Sequence, residues 1–349
     1  MSGTRGLGQS HPVRPGIGRR SAIGTGVAAL AGFVGARRAH AAVVTLKLAH
    51  AIPEGHPTTI RFNEAAERIH QLTNGAVVLR LFPNSQLGSQ TDMISQVRSG
   101  AIDLTFQSSA VLSSIAPTSA IVGTAFVFPD YKSVWSAVDG PLGDYMRAEY
   151  AKANLVAMHR MWDSGFRHVT ASTRPIHTPE DLAGFKIRIP ASPTWSILFA
   201  ALGAAPTSLD LSELYSALQT KIVDGEENPL ALVSTLKFYE VQKYCSLTKH
   251  IWDGAWIVAN NRSWSRLPAN HQDIIEAQLN EAGAKQRADM EVLDTTLQAE
   301  LTQKGLIINP VDIAPFRTKL QQAGYYAAYR ARFQPQAWDL LTKTTGPIG

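Results

Sequence analysis

VVTLKLAH (Val43–His50), VVLRLF (Val77–Phe82) and IDLTFQ (Ile102–Gln107) are three apolar segments of strand length, with an amphipathic stretch in each gap between them. In the first, Val44, Leu46 and Leu48 fall opposite Val43, Thr45 and Lys47, which is the period of a strand. Two prolines and a glycine then break the pattern between His50 and Pro57. Phe62, Ala65, Ala66, Ile69 and Leu72 follow at helical spacing, up to about Thr73. Asn74-Gly75 ends that helix, because glycine tolerates the left-handed conformation found just past a helix C-terminus. A second helix is expected over Ser89–Arg98. The order β-α-β-α-β with short connections implies a parallel or mixed sheet covered by helices.

A similar pattern restarts downstream. Strands are expected at Leu155–Met161, Phe166–Ser172 and Phe185–Pro190, with helices at Trp195–Leu202 and Leu211–Ile222. Leu211, Leu214, Tyr215, Leu218 and Ile222 form one apolar face of the last helix. Pro268–Lys304 is rich in helix formers and predicts one or two long helices. Two α/β halves followed by helices imply two lobes and a cleft, with the chain crossing between lobes more than once.

The chain has 349 residues and is 45% hydrophobic and 17% charged, a globular composition. No apolar run reaches the ~20 residues needed to cross a bilayer. The net charge of +5 is misleading as a pointer to nucleic acid. Residues 1–41 hold six arginines and no lysine or acid, so the rest carries 27 basic against 28 acidic residues. Nothing in it resembles a phosphate-binding stripe, and nucleic acid is not an expected partner. The leader itself has the form of an export signal: a basic start ending in Arg19-Arg20, an apolar middle, and Ala39-His40-Ala41 as an A-x-A cleavage pattern. Cleavage is expected after Ala41, in a periplasmic protein, with the paired arginines a weak sign of the twin-arginine route.

Tests for catalysis are negative. Ser234-x-x-Lys237 lacks the companion motifs of a serine nucleophile, and there is no G-x-S-x-G or H-E-x-x-H. Asp163, Asp224, Glu226 and Glu227 are not spaced as an acid/base pair. His50 and His56 flank one loop, and the simpler reading is a capping loop histidine rather than a metal ligand. Cys245 is the single cysteine, which excludes an internal disulfide and a thiolate metal cluster. No enzyme, cofactor or metal is expected.

The segments Pro179–Pro190 (PEDLAGFKIRIP), Glu213–Gln219 (ELYSALQ) and Val223–Pro229 (VDGEENP) resemble the substrate-binding proteins of TRAP transporters, the DctP type. Phe82–Gly88, Gly165–Arg167 and Tyr244–His250 are similar to the same family, and the matches run in its order across nearly the whole chain after the leader. The resemblance implies an α/β, two-lobed periplasmic-binding-protein-like fold of mixed sheets flanked by helices, with a long helix spanning both lobes. Lobe I is then 42–164 plus 254–293, and lobe II is 165–253 plus 294–349. It implies a small organic acid held in the cleft and delivered to the membrane permease subunits of a TRAP transporter. By motif match, Arg188 holds the ligand carboxylate, Arg167 is a second contact, and Asn228 a third. Two departures stand out. Lys221 occupies a place where glycine is usual, and Glu226 one where glutamine is common, with its side chain expected to point away from the ligand.

The residues themselves agree in type. The strand pleat separates Lys186 and Arg188 from Phe185, Ile187 and Ile189, and Pro190 stops the strand. Arg188 therefore sits at a strand's carboxyl end, where open α/β sheets place ligands. Its planar fork matches a carboxylate as a lysine cannot. The competing roles are a structural ion pair for Arg188, an interlobe salt bridge for Arg167 and a turn cap for Asn228. Trp162, Trp195, Tyr215, Trp252 and Trp256 are candidates for cleft walls, against the plainer role of core. Glu54 and His56 in the first loop, and Phe106, Gln107 and Ser108 at the end of the third strand, are candidates for the ligand's far end. The alternatives to a permease-linked receptor are an exported enzyme acting on a carboxylate, or the receptor of a sensor or an ATP-driven transporter.

Overall fold

The computed structural model describes residues 43–349; the expected export signal and its cleavage site lie outside them. Among the described residues the ten strands are β1 (Val44–His50), β2 (Val77–Phe82), β3 (Leu104–Ser108), β4 (Leu155–Ala157), β5 (Trp162–Ala171), β6 (Lys186–Ile189), β7 (Ala205–Ser208), β8 (Gly225–Asn228), β9 (Tyr244–Asn260) and β10 (Ile307–Pro310). They are hydrogen-bonded in the order β2-β1-β3-β9-β5-β8-β6-β7, with β4 and β10 also on β9. β2, β1 and β3 are mutually parallel, as the β-α-β-α-β order requires.

Two mixed sheets are thus fused through one antiparallel pair. The far end of β9 pairs with β3, from Leu104↔Ala259 to Ser108↔Ala255. Its near end pairs with β10, from Ile307↔Tyr244 to Pro310↔Leu247. β5 follows β9 through both sheets and then carries β8, β6 and β7. The ladder slips in the crossing, between Asp163 and Gly165 and again between Arg167 and Val169. Gly165 has φ +112, and a Cβ there would stand 2.9 Å from the Pro229 Cβ, so only glycine fits this bend.

The helix Pro57–Leu72 buries Phe62, Ala65 and Ile69 against Leu46, Leu48 and Leu79 of the β1–β2 face. Its end falls where the sequence places it, with Asn74 at φ 50 and Gly75 at φ 78. The helix Gln90–Ser99 starts on a Ser89/Asp92 capping box. Pro268–Lys304 forms one helix, Ala269–Gln303. Ile275, Leu279 and Ala282 pack in the core beneath β1–β3, whereas Met290, Leu297 and Leu301 join the larger core. Gly283 lets this helix lie close: a Cβ there would meet the Trp162 Nε1 at 2.7 Å. The expected limit at 293/294 therefore falls inside a continuous helix. The C-terminal helix Pro335–Thr345, expected with residues 165–253, packs instead on the helices Tyr131–Val138 and Pro141–Lys152, because Ala337, Trp338 and Leu341 turn their apolar face there. Among the described residues no helix is long and apolar enough to cross a membrane.

Candidate functional site

Where β5 and β9 pass between the sheets, a cavity of about 50 Å³ opens between the two groups of strands. That exceeds the ~10–15 Å³ a single buried water needs. One wall comes from the β1 side: Ala51, Ile52, His56 and Thr58, Gln90, Phe106 and Ser108, and Ala255 of β9. The other comes from the β6–β8 side: Arg167, Arg188, Pro190, Leu211, Asn228 and Leu232, with Asp163 and Ser164 at the crossing.

β5 and β8 are antiparallel, with His168 opposite Asn228 and Val169 opposite Glu227. That register closes the Arg167 guanidinium on its own carboxylate. Nε donates to Glu227 Oε2 at 2.5 Å and Nη2 to Oε1 at 3.0 Å. Nη2 also reaches the Glu227 carbonyl at 2.6 Å and Asn228 Oδ1 at 2.8 Å. The guanidinium lies over the Trp195 ring, 4.8 Å from its centroid. Burial alone would lower the Arg167 pKa and raise that of Glu227, but mutual attraction outweighs it: Arg167 is raised and Glu227 lowered. Arg167 thus spends its side-on fork on Glu227, within one group of strands, and keeps only Nη1 for a further contact.

Arg188 differs. Its side chain leaves the carboxyl end of β6 and is 1% exposed. Its hydrogen-bond partner is the Leu209 carbonyl, reached from Nε at 3.0 Å and Nη2 at 2.7 Å. No carboxylate pairs with it among the described residues. Burial pulls its pKa down to about 10, against the field of Glu227. The end-on Nη1/Nη2 fork remains unused, which is the geometry that receives a carboxylate bidentately.

Asn228 is held from both sides. Its Oδ1 faces Arg167, and its Nδ2 donates to Glu226 Oε2 at 2.5 Å. Glu226 is fully buried, accepts from Thr170 Oγ1 at 2.6 Å, and has its pKa pushed up to about 7 by burial. It is absent from the cavity wall, and its contact with Asn228 fixes which way that amide points.

The structure brings Arg188, Arg167 and Asn228 together, with His56, Phe106 and Ser108 on the facing wall, and leaves Trp162, Trp252, Tyr215 and Glu54 off it. Trp162 is wholly buried in the core, its ring 4.4 Å from Phe62 and 5.7 Å from Phe106. Trp252 is buried on the opposite face of the sheet, edge-on to Phe128 and Trp135, with Nε1 donating to Asp163 Oδ1 at 2.9 Å. Tyr215 is half-buried against the larger core, away from the cavity, and donates to Glu240 Oε2 at 2.8 Å. Glu54 is exposed and outside the cavity. The two tryptophan rings fill core volume, and the loop turns the Glu54 carboxylate to water. Sequence reasoning did not single out Gln90, which joins the wall because a helix begins there; the preceding Ser89 cap was the available signal.

The model of bacterial extracellular solute-binding protein family 7, DctP, matches residues 48–330. The chain belongs to this family. Family 7 proteins are solute-binding receptors, not enzymes. The 2,3-diketo-L-gulonate-binding periplasmic protein YiaO of Escherichia coli is 34% identical, over 66% of this chain and 70% of its own. A TRAP periplasmic solute-binding protein from Sulfurospirillum deleyianum with bound succinate superimposes with TM-score 0.80 at 30% identity, covering 87% of this chain and 99% of that one. One from Polaromonas bound to D-erythronate gives TM-score 0.82 at 27% identity, over 87% and 98%. This DctP-family chain shares their two fused mixed sheets and long helix.

Proposed function

We propose that the protein is a periplasmic receptor that captures a small organic acid by its carboxylate and delivers it to the permease of a TRAP transporter. Residues 1–41 direct export and are removed. Arg188 takes the carboxylate end-on, Arg167 adds a single contact through Nη1, and Asn228 supplies its remaining amide proton. The lobes hinge where β5 and β9 cross, near Gly165 and Asp253, and closing them removes the ion pair from water.

The observation that carries this reading is the isolation of Arg188. A buried guanidinium without a carboxylate is costly in a protein that has no use for it, since breaking a buried pair typically costs about 3–5 kcal/mol. A ligand carboxylate supplies the missing partner. The family membership and the acids named for its relatives support the same chemistry. A thermal-shift screen against small carboxylates and their primary amides tests it. A ligand bound only by the folded state stabilises it by ~2.7 kcal/mol at a hundredfold excess over Kd. Acids that shift the melt while their amides do not are expected; amides that shift it equally would sink the proposal.

A further inference from the structure

We infer that the site selects a monocarboxylate whose other polar atoms are uncharged, and that the Nε2–H of His56 donates a hydrogen bond to one of them. The inference rests on the carboxylate-receptor reading above. Charge on the cavity wall carries its first half. The charge of Arg167 is already balanced by Glu227, so Arg188 alone brings an uncompensated positive charge to an anion, and Arg167 adds only a hydrogen bond. The facing wall contributes neutral groups such as Ile52, Gln90 and Ser108, and no cation. A second ligand carboxylate placed there would be stripped of water and left without a counter-charge. Hydroxyl, carbonyl or apolar groups meet no such penalty.

The second half rests on the His56 tautomer. The ring caps the helix Pro57–Leu72: its Nδ1 accepts the backbone N–H of Thr58 at 3.2 Å. A ring nitrogen that accepts a hydrogen bond carries no proton, so in the neutral ring the proton is on Nε2. Burial holds the ring neutral, with its pKa down to about 3. The residue is 3% exposed, it forms part of the cavity wall, and Nε2 has no partner among the described residues. Leaving such a donor unpaired is unfavourable, and an oxygen of the bound acid satisfies it. One neutral donor orients a hydroxyl or carbonyl but does not balance a second carboxylate.

Calorimetric titration with matched pairs tests both halves: D-erythronate against meso-tartrate, D-gluconate against D-glucarate, and succinamate against succinate. Within each pair one end changes from neutral to charged. The tightest binder is expected to be a monoacid, with its diacid at least tenfold weaker. A diacid that binds as tightly as its monoacid overturns the charge argument and leaves the receptor reading standing. His56→Asn retains a capping oxygen for the helix but loses the distant N–H. It should weaken the best monoacid about tenfold and leave the unliganded melting temperature unchanged; undiminished affinity would reduce His56 to a cap. No heat with any acid would overturn the receptor reading itself, and the inference with it.

Discussion

The backbone N–H of Gln90 donates to Asp210 Oδ2 at 2.8 Å, joining the first turn of a helix packed on β3 to the cap of the helix Leu211–Gln219, which follows β7. Asp210 therefore does two things. It caps its own helix through Ser212 N at 3.0 Å, and it ties the two sides of the cavity mouth. Asp210→Ser preserves a good cap but is too short to span the gap. With a hydrogen bond worth about 1 kcal/mol, stopped-flow release of a bound acid should be roughly fivefold faster in this variant, with little change in melting temperature.

Arg167 and Glu227 form the buried ion pair behind the site. Glu227→Gln leaves the guanidinium buried and uncompensated, at a cost of about 3–5 kcal/mol. Denaturant unfolding without ligand should show a loss of that order. A loss under 1 kcal/mol would mean that the pair is not closed in the free protein.

Glu226 gives a pH signature of the opposite sign to an ordinary ion-paired carboxylate. Its folded pKa is raised to about 7, above the ordinary 4.5, so the folded state holds its proton more tightly. That contribution is fully present below about pH 4.5 and is lost as pH rises through 7. Glu226→Gln has no proton to lose. Urea midpoints should place this variant above the parent at pH 8, with the gap narrowing toward pH 4.5. Parallel pH profiles would show Glu226 to be ionised throughout.

Lys221 occupies a position whose backbone favours glycine. It has φ 60, in the left-handed region, and its side chain is exposed. The conformation costs a non-glycine residue about 1 kcal/mol, part of which glycine returns through a freer unfolded chain. Lys221→Gly should stabilise the protein by about 0.5 kcal/mol, read as a higher urea midpoint.

The sequence showed the ends of elements better than their partners. Asn74-Gly75 and the strand Val77–Phe82 are local signals and fell where expected. Leu211–Ile222 ran three residues too far because its apolar period continues past Gln219 while the backbone turns left-handed at Lys221. β9 had no alternation to read: from Ile251 to Asn260 every residue is buried, since both faces of the strand are covered. In the site, the strand-end position of Arg188 was legible because Pro190 stops the strand two residues on, whereas its proposed ligand role came from the family resemblance. The Arg167–Glu227 pair was not, because it depends on the β5–β8 register joining residues 60 apart in sequence. Trp162 and Trp252 were read as wall candidates; the side of the sheet each ring takes follows from the bulge at Asp163/Gly165, which no periodicity announces.

Arg188→Met, melted with and without the acid that gives the largest shift in the carboxylate screen, tests the central claim most directly. Methionine relieves the cost of an unpaired buried charge, at the smaller cost of the two lost bonds to the Leu209 carbonyl. The account predicts an unliganded melting temperature at or above the parent's and no shift on adding the acid. A full ligand-induced shift in Arg188→Met would contradict it and place the carboxylate elsewhere.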